Sequence, residues 1–273
     1  MMNIKVLILD IDGTISGQSN QVTQRVKNAI KEVQNRGIKV GLATGRMYCS
    51  ALRFYHDIEA DLPIIGYNGA WIQNPKNSEI LLHTPVNKEK AQDLFNYLKV
   101  QQNINNNIEI HFYFEDQLYV EKMTTKTEFY IKRSGINFNI VDDLTVLLSQ
   151  SPTKVLASSP DANLISQMLN DLKNRYKDNE LYLTQSSPIY LEATQAGVNK
   201  GTAVKYLVEK ILGFTAEEIM AIGDNFNDYT MLEYAGFSVA MGDAPEEIKA
   251  ITSAITHDVE NDGVAEAIAN YIL

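Results

Sequence analysis

Only one cysteine, Cys49, occurs in 273 residues. No intramolecular disulfide can form, which excludes a disulfide-stapled scaffold and fits a reducing cytoplasm. Long apolar runs are also missing. Val6 to Leu9 covers four residues and ends at Asp10 and Asp12. The N-terminus from Met1 and Met2 onward is therefore expected to be neither a membrane span nor a signal peptide. Basic residues are scarce, with 24 Lys and Arg against 34 Asp and Glu, a net charge of −10 and a pI of about 4.9. Nucleic acid and anionic membranes recruit basic faces, so neither is an expected partner. An anionic ligand would need a cation where it binds. No histidine or cysteine cluster accompanies the motifs below, which argues against zinc. Heptads, repeats and low-complexity tracts are absent, and Asn103 to Asn107 reads as a polar loop. Nothing in the sequence sets an oligomeric state.

The residues present suit one large or two modest domains, and 45% of them are apolar, enough for a sizeable core. Val6-Leu7-Ile8-Leu9 does not alternate, so it reads as a strand buried on both faces, as in a parallel sheet. Val22, Val26, Ile30 and Val33 then recur at helical spacing, and Gly37 supplies a stop. Ile38 to Ala43 reads as a second buried strand, which completes a right-handed β-α-β unit. The last third repeats the theme. Ala203, Leu207 and Ile211 mark a helix face, and Thr215-Ala216-Glu217-Glu218 fits a capping box. Ile219 to Ile222 reads as a strand, Asp228 to Tyr234 as a helix stopped at Gly236, and Phe237 to Met241 as a strand. Pro245-Glu246-Glu247 opens another helix. The middle, from about Pro85 to Ser187, is richer in Asn, Gln, Lys and Tyr. It reads as an inserted α+β module. A hairpin joins Ile108–Phe114 to Leu118–Val120 across Glu115-Asp116-Gln117, and helices are expected near 88–99, 124–133 and 161–176.

Four polar segments carry the chemistry. Asp10-Ile11-Asp12-Gly13-Thr14, Thr44-Gly45-Arg46 and Gly223-Asp224-Asn225-Phe226-Asn227-Asp228 follow expected strands, and Asn199-Lys200-Gly201 precedes a helix. Ligands of open parallel sheets bind at the carboxyl ends of the strands. Asp10, Asp12, Asp224 and Asp228 converging there would repel one another and raise each other's pKa values. A divalent cation with oxygen ligands relieves this, and Mg²⁺ suits such a set. Lys200 suits a phosphate oxygen, and Thr44 with the following N–H groups adds neutral donors. A carboxylate nucleophile, a metal, a lysine and such donors describe phosphoryl transfer. Each segment alone has a plainer reading. Asp-X-Asp-Gly-Thr is also a turn, Thr44 a helix N-cap, Lys200 a solvated lysine, and Gly223-Asp224 with Asn227-Asp228 a capped turn. A calcium loop counted from Asp10 fails, because it needs Gly where Ile15 stands and Glu where Gln21 stands.

In order and type these segments resemble the haloacid dehalogenase-like hydrolases, more closely the Cof-type branch of sugar and metabolite phosphatases. Asn68-Gly69-Ala70, Ala240 to Ala244 and Asp262 to Ala265 match further family segments, with Asp243 where Asn is common. The resemblance implies an α/β fold with a Rossmann-like parallel-sheet core and helices on both faces. An inserted cap would close over the cleft and select the leaving group. The expected limits are 1–84 and 188–273 for the core and 85–187 for the cap, where His111, Tyr113, Glu115 and Tyr119 are candidate specificity contacts. The resemblance assigns Asp10 as nucleophile and Asp12 as general acid and base. Mg²⁺ would be held by Asp10, the Asp12 carbonyl and Asp224. Phosphate would be held by Thr44, Lys200 and Asn227 with backbone N–H groups near Ile11 and Gly45, and Asp228 would stand behind Lys200 or the metal waters. Arg46 follows the motif without an assigned role. The implied substrate is a small phosphorylated metabolite, with sugar phosphates foremost. Relatives that keep their aspartyl-phosphate, such as P-type ion pumps, carry Thr two positions after the nucleophile, so Asp12 favours hydrolysis. The competing readings are a phosphohexomutase-like phosphoryl transferase and a non-catalytic protein that binds phosphometabolites.

Overall fold

The computed structural model describes residues 3–177 and 179–273; Met1 and Met2, where the N-terminal reading begins, lie outside the described residues. The chain divides into two compact units, one of Met1–Leu81 with Asn199–Leu273 and one of Leu82–Val198.

The first unit is built on a five-stranded parallel sheet. Its order is Ala254–Ile255, Phe237–Ala240, Ile219–Gly223, Val6–Leu9 and Lys39–Leu42. All four residues of Val6–Leu9 are buried, as its unbroken apolar run requires of a central strand. Leu9 is level with Leu42 on one side and Ile222 on the other. Asp10, Ala43 and Gly223 therefore leave the sheet at the same edge. Helix Gln24–Asn35 buries Val26, Ile30 and Val33 and is capped by Thr23, whose hydroxyl accepts from the Val26 N–H. It packs with Gly263–Tyr271, while Lys200–Lys205 packs with Tyr229–Tyr234. This is the expected α/β core, a parallel sheet clothed by helices on both faces.

Two local expectations differ from the structure. The turn after Lys205 widens to π-type over Tyr206–Leu212. Its longer repeat brings Leu207 and Val208 to the core and leaves Ile211 45% exposed. The capping box at Thr215 does form, yet it opens only a single 3₁₀ turn, Ala216–Glu218, before the strand begins at Ile219.

The second unit is a six-stranded, mainly antiparallel sheet. Its order is Leu181–Ser187, Tyr190–Gln195, Lys154–Ser158, Glu109–Phe114, Gln117–Val120 and Phe138–Ile140. Helices Lys88–Ile104 and Ala162–Arg175 pack on one face through Leu94, Phe95, Leu98, Ile165, Met168 and Leu172. The boundaries fall at Leu81/Leu82 and Val198/Asn199 rather than at 84/85 and 187/188. Strand Tyr190–Gln195 pairs with Leu181–Ser187 and Lys154–Ser158, which keeps it in this unit. The hairpin turn is Glu115-Asp116, both left-handed at φ 48° and 58°, and Gln117 already belongs to the return strand.

Strand Glu109–Phe114 is buried at every residue, not half-buried as its alternation suggested. Ile110, Phe112 and Phe114 join the helix-covered core. His111 and Tyr113 meet Tyr130 of helix Thr125–Ser134, the phenols 2.9 Å apart and the imidazole 5.2 Å from the Tyr130 ring. A buried ion pair, Lys154 to Glu192 at 2.8 Å, lies beside Tyr113. Of the candidate specificity residues here, His111 and Tyr113 are therefore packed inside this unit, while Glu115 is in the exposed turn.

Candidate active site

The parallel sheet ends in a ring of carboxylates around one lysine. Asp10 directly follows Leu9, and its N–H donates to the Ile222 carbonyl at 3.1 Å. Lys200 opens helix Lys200–Lys205 and is wholly buried. Asn199 aims it: its side chain accepts from the Thr202 N–H while the Thr202 hydroxyl accepts from the Asn199 N–H. The ammonium donates to Asp228 Oδ1 at 2.6 Å. It also lies 2.8 Å from Asp10 Oδ1, an ion pair without the angle of a directed hydrogen bond.

Asp224 follows the strand Ile219–Gly223 and accepts from the Thr14 hydroxyl at 3.1 Å. Gly13 makes room for it. Its φ is 79°, and a Cβ there would sit 2.3 Å from Asp224 Oδ2. Asp228 Oδ2 accepts from the N–H groups of Asp224 at 3.0 Å and Asn225 at 3.1 Å. One Asp228 oxygen thus ties the 224–228 turn and the other ties Lys200. Carboxylate oxygens of Asp10, Asp224 and Asp228 all lie within 4.8 Å of one another.

Three carboxylates crowd one buried ammonium, and their proton affinities show the strain. Burial first, then Asp228, pushes Asp10 up to about 7 against the pull of Lys200. Burial, Asp228 and Asp10 raise Asp224 well above the ordinary carboxylate range. Burial alone would lower Lys200, but Asp10 and Asp228 outweigh it and raise it. The excess of oxygen donors without histidine or cysteine fits a hard divalent cation, which would relieve this repulsion. Asp10, Asp224 and Asp228 are the side chains that could hold it. Asp228 lies in the carboxylate cluster, and its bond to Lys200 is the supporting contact expected of it from the sequence.

Asp12 stands outside this cluster, though its charge acts on Asp10. Arg46 grips Asp12 with a fork, Nε to Oδ2 and Nη2 to Oδ1, both at 2.6 Å. The same guanidinium donates to Asn20 Oδ1 at 2.9 Å and lies 4.7 Å from the Phe54 ring centre. Arg46 therefore has a definite partner in the motif opposite its own.

Thr44 is buried, and its hydroxyl accepts from the Arg46 N–H at 3.1 Å. Gly45 stands between them. Ile11 is buried beside Asp10, and its carbonyl accepts from the Thr14, Ile15 and Ser16 N–H groups to close the motif turn. Asn227 is 3% exposed; its Nδ2 donates to Asn68 Oδ1 at 3.1 Å, and its Oδ1 has no partner. The fold thus gathers Asp10, Lys200, Asp224 and Asp228 directly, pairs Asp12 with Arg46, and seats Thr44 and Asn227 through their neighbours. The sequence reading gave no role to Thr14, Asn20 or Asn68. Asn68-Gly69 was visible as a turn dipeptide, but its partner lies 159 positions away.

A sheet of this order with carboxylates at its carboxyl edge belongs to a recognisable class. The model of the haloacid dehalogenase-like hydrolase family matches residues 7–268, so the chain belongs to that family and is a hydrolase. Among its relatives is 5-amino-6-(5-phospho-D-ribitylamino)uracil phosphatase YcsE of Bacillus subtilis (strain 168). It is 28% identical and aligned over 100% of this chain and 97% of its own. A haloacid dehalogenase-like hydrolase from Bacteroides thetaiotaomicron superposes with a TM-score of 0.82 at 26% identity, over 98% of this chain and 99% of that one. One from B. subtilis gives 0.85 at 25% identity, over 99% and 100%. Among the described residues no helix is long and apolar enough to cross a membrane.

Proposed function

We propose that this hydrolase is a Mg²⁺-dependent phosphatase of small phosphorylated metabolites, sugar phosphates foremost, that works through an aspartyl-phosphate on Asp10. The observation that carries the reading is the buried Lys200 ammonium, 2.8 Å from Asp10 and 2.6 Å from Asp228, with Asp224 alongside. A solvated surface lysine would not be built this way. Several named relatives are phosphatases of a metabolite with a phosphorylated ribityl chain, which supports the substrate class.

In this reading the cation, when bound, offsets the charge of the carboxylates and of the phosphoryl oxygens. An Asp10 oxygen attacks phosphorus as the bond to the leaving oxygen breaks, and Asp12 delivers a proton to that oxygen. Water then attacks the aspartyl-phosphate and gives its proton to Asp12, which releases phosphate and restores the Asp10 carboxylate. Lys200, Thr44 and Asn227 hold phosphoryl oxygens, aided by the N–H groups of Ile11 and Gly45. The test is turnover of p-nitrophenyl phosphate and a panel of sugar phosphates by the purified chain, ranked by kcat/KM. The expected result is release of phosphate that needs Mg²⁺ and stops with EDTA. Isomerised sugar phosphate as the main product, or activity indifferent to EDTA, would contradict it.

A further inference from the structure

The turn Tyr67-Asn68-Gly69 has no part in the chemistry described so far, yet it touches three of the four motif segments. Its backbone is unusual. Tyr67 and Asn68 are both left-handed, with φ of 53° and 54°, and Gly69 follows at 102°. Asparagine tolerates this region, whereas a bulky aromatic residue rarely enters it. All three residues are buried. Such a conformation persists only where the surroundings enforce it.

The surroundings are the motifs themselves. The Tyr67 N–H donates to the Arg46 carbonyl at 2.8 Å, and the Asn68 N–H to the Thr44 carbonyl at 2.9 Å. The turn is thereby fastened to Thr44-Gly45-Arg46. Gly69 lies against the residue that caps the Lys200 helix, and a Cβ there would be 2.4 Å from the Asn199 carbonyl oxygen. Between these anchors the Asn68 side chain accepts from Asn227 Nδ2 at 3.1 Å, with both side chains shielded from water. The unpartnered Asn227 Oδ1 offers nothing else to fix which way its amide faces. A carbonyl oxygen can only accept, so Asn68 Oδ1 demands the NH₂ edge of Asn227.

We propose that Asn68 is a positioning residue: the left-handed turn holds its carbonyl so that Asn227 presents an N–H, in fixed register with Thr44 and Lys200, to the anionic group of the substrate. This rests on the phosphatase reading. The turn would act on phosphoryl binding through Asn227, without touching substrate.

The test uses three variants: Asn68→Gly, Asn227→Ala and the double variant. Glycine keeps the left-handed backbone and removes only the side chain. Two readouts are taken, orthophosphate binding by calorimetry with Mg²⁺ present and kcat/KM for p-nitrophenyl phosphate. Each single variant is expected to weaken both by about tenfold, and the double variant by no more than either single one, because the two side chains act as one unit. Asn68→Asp, which keeps an acceptor and tolerates the same backbone, is expected to recover part of the orthophosphate affinity. Independent, multiplying losses in the double variant would overturn the proposal, as would wild-type binding by Asn68→Gly. A melting temperature for each variant separates loss of fold from loss of register, and Asn68→Asp supplies the answer if Asn68→Gly does not fold. A wild-type chain that binds orthophosphate yet releases none from p-nitrophenyl phosphate or sugar phosphates would sink the phosphatase reading while leaving the binding result to judge Asn68.

Discussion

Arg46 and Asp12 form the most directed contact at the site, two parallel bonds of 2.6 Å from a planar fork. The guanidinium is nearly buried against Phe54, whereas Asp12 is 44% exposed. A fixed partner thus aims a side chain that still reaches solvent. Arg46→Ala should let Asp12 wander and lower kcat by about tenfold to a hundredfold, part of what a general acid supplies. The loss should be greater on a sugar phosphate than on p-nitrophenyl phosphate, because p-nitrophenolate departs without a proton. Arg46→Lys should recover little, since an ammonium cannot make the fork. Equal losses on both substrates would show that Arg46 does not serve Asp12. The identities of Asp10, Asp12, Asp224, Asp228 and Lys200 were legible in the sequence because their types are complementary and their segments follow strands. Their pairings were not. Nothing in Thr44-Gly45-Arg46 tells whether Arg46 faces substrate, solvent or Asp12; only packing on Phe54 and the bond to Asn20 decide it.

At the scale of elements, the parallel strands of the first unit were the most legible. Val6–Leu9 and Ile219–Gly223 are apolar and buried throughout, as strands covered on both faces require. The second unit was harder to read. Strands Lys154–Ser158 and Tyr190–Gln195 each carry a charge, Lys154 and Glu192, where a buried strand is expected to be apolar. The two charges satisfy each other at 2.8 Å, a pairing across 38 positions that no local pattern reports. Glu109 is a similar case. Burial would raise its carboxyl, but His111 and the hydroxyls of Thr124 and Thr127 outweigh this and bring it down to about 2. A carboxylate held below its unfolded value stabilises the fold fully above the unfolded pKa, near 4.5, and loses that contribution as pH falls toward 2. Glu109→Gln should therefore be less stable than wild type at pH 6 by roughly 1–2 kcal/mol, the full linkage value being reduced by solvent screening. The gap should close between pH 4.5 and 2 in urea titrations. A gap that stays constant across that range would mean that the lost stability is packing and not charge.

Across the whole molecule, a single fact organises the chemistry: residues from both ends of the chain meet at one edge of one sheet, with Leu82–Val198 inserted between them. Asp10 leaves Val6–Leu9 and Asp224 leaves the adjacent strand, so two carboxylates far apart in sequence are held at the same edge of the sheet. Burial and the neighbouring Asp228 make Asp10 costly to keep charged there, as its rise to about 7 shows. The proposed hydrolysis requires that Asp10 take the phosphoryl group. The most direct measurement is acid quenching of the protein within milliseconds of mixing with substrate and Mg²⁺, followed by peptide mass spectrometry. A phosphoryl group is expected on the peptide that contains Asp10 and not in Asp10→Asn, which should have lost turnover. Undiminished turnover in Asp10→Asn, or the phosphoryl group on another residue, would contradict it.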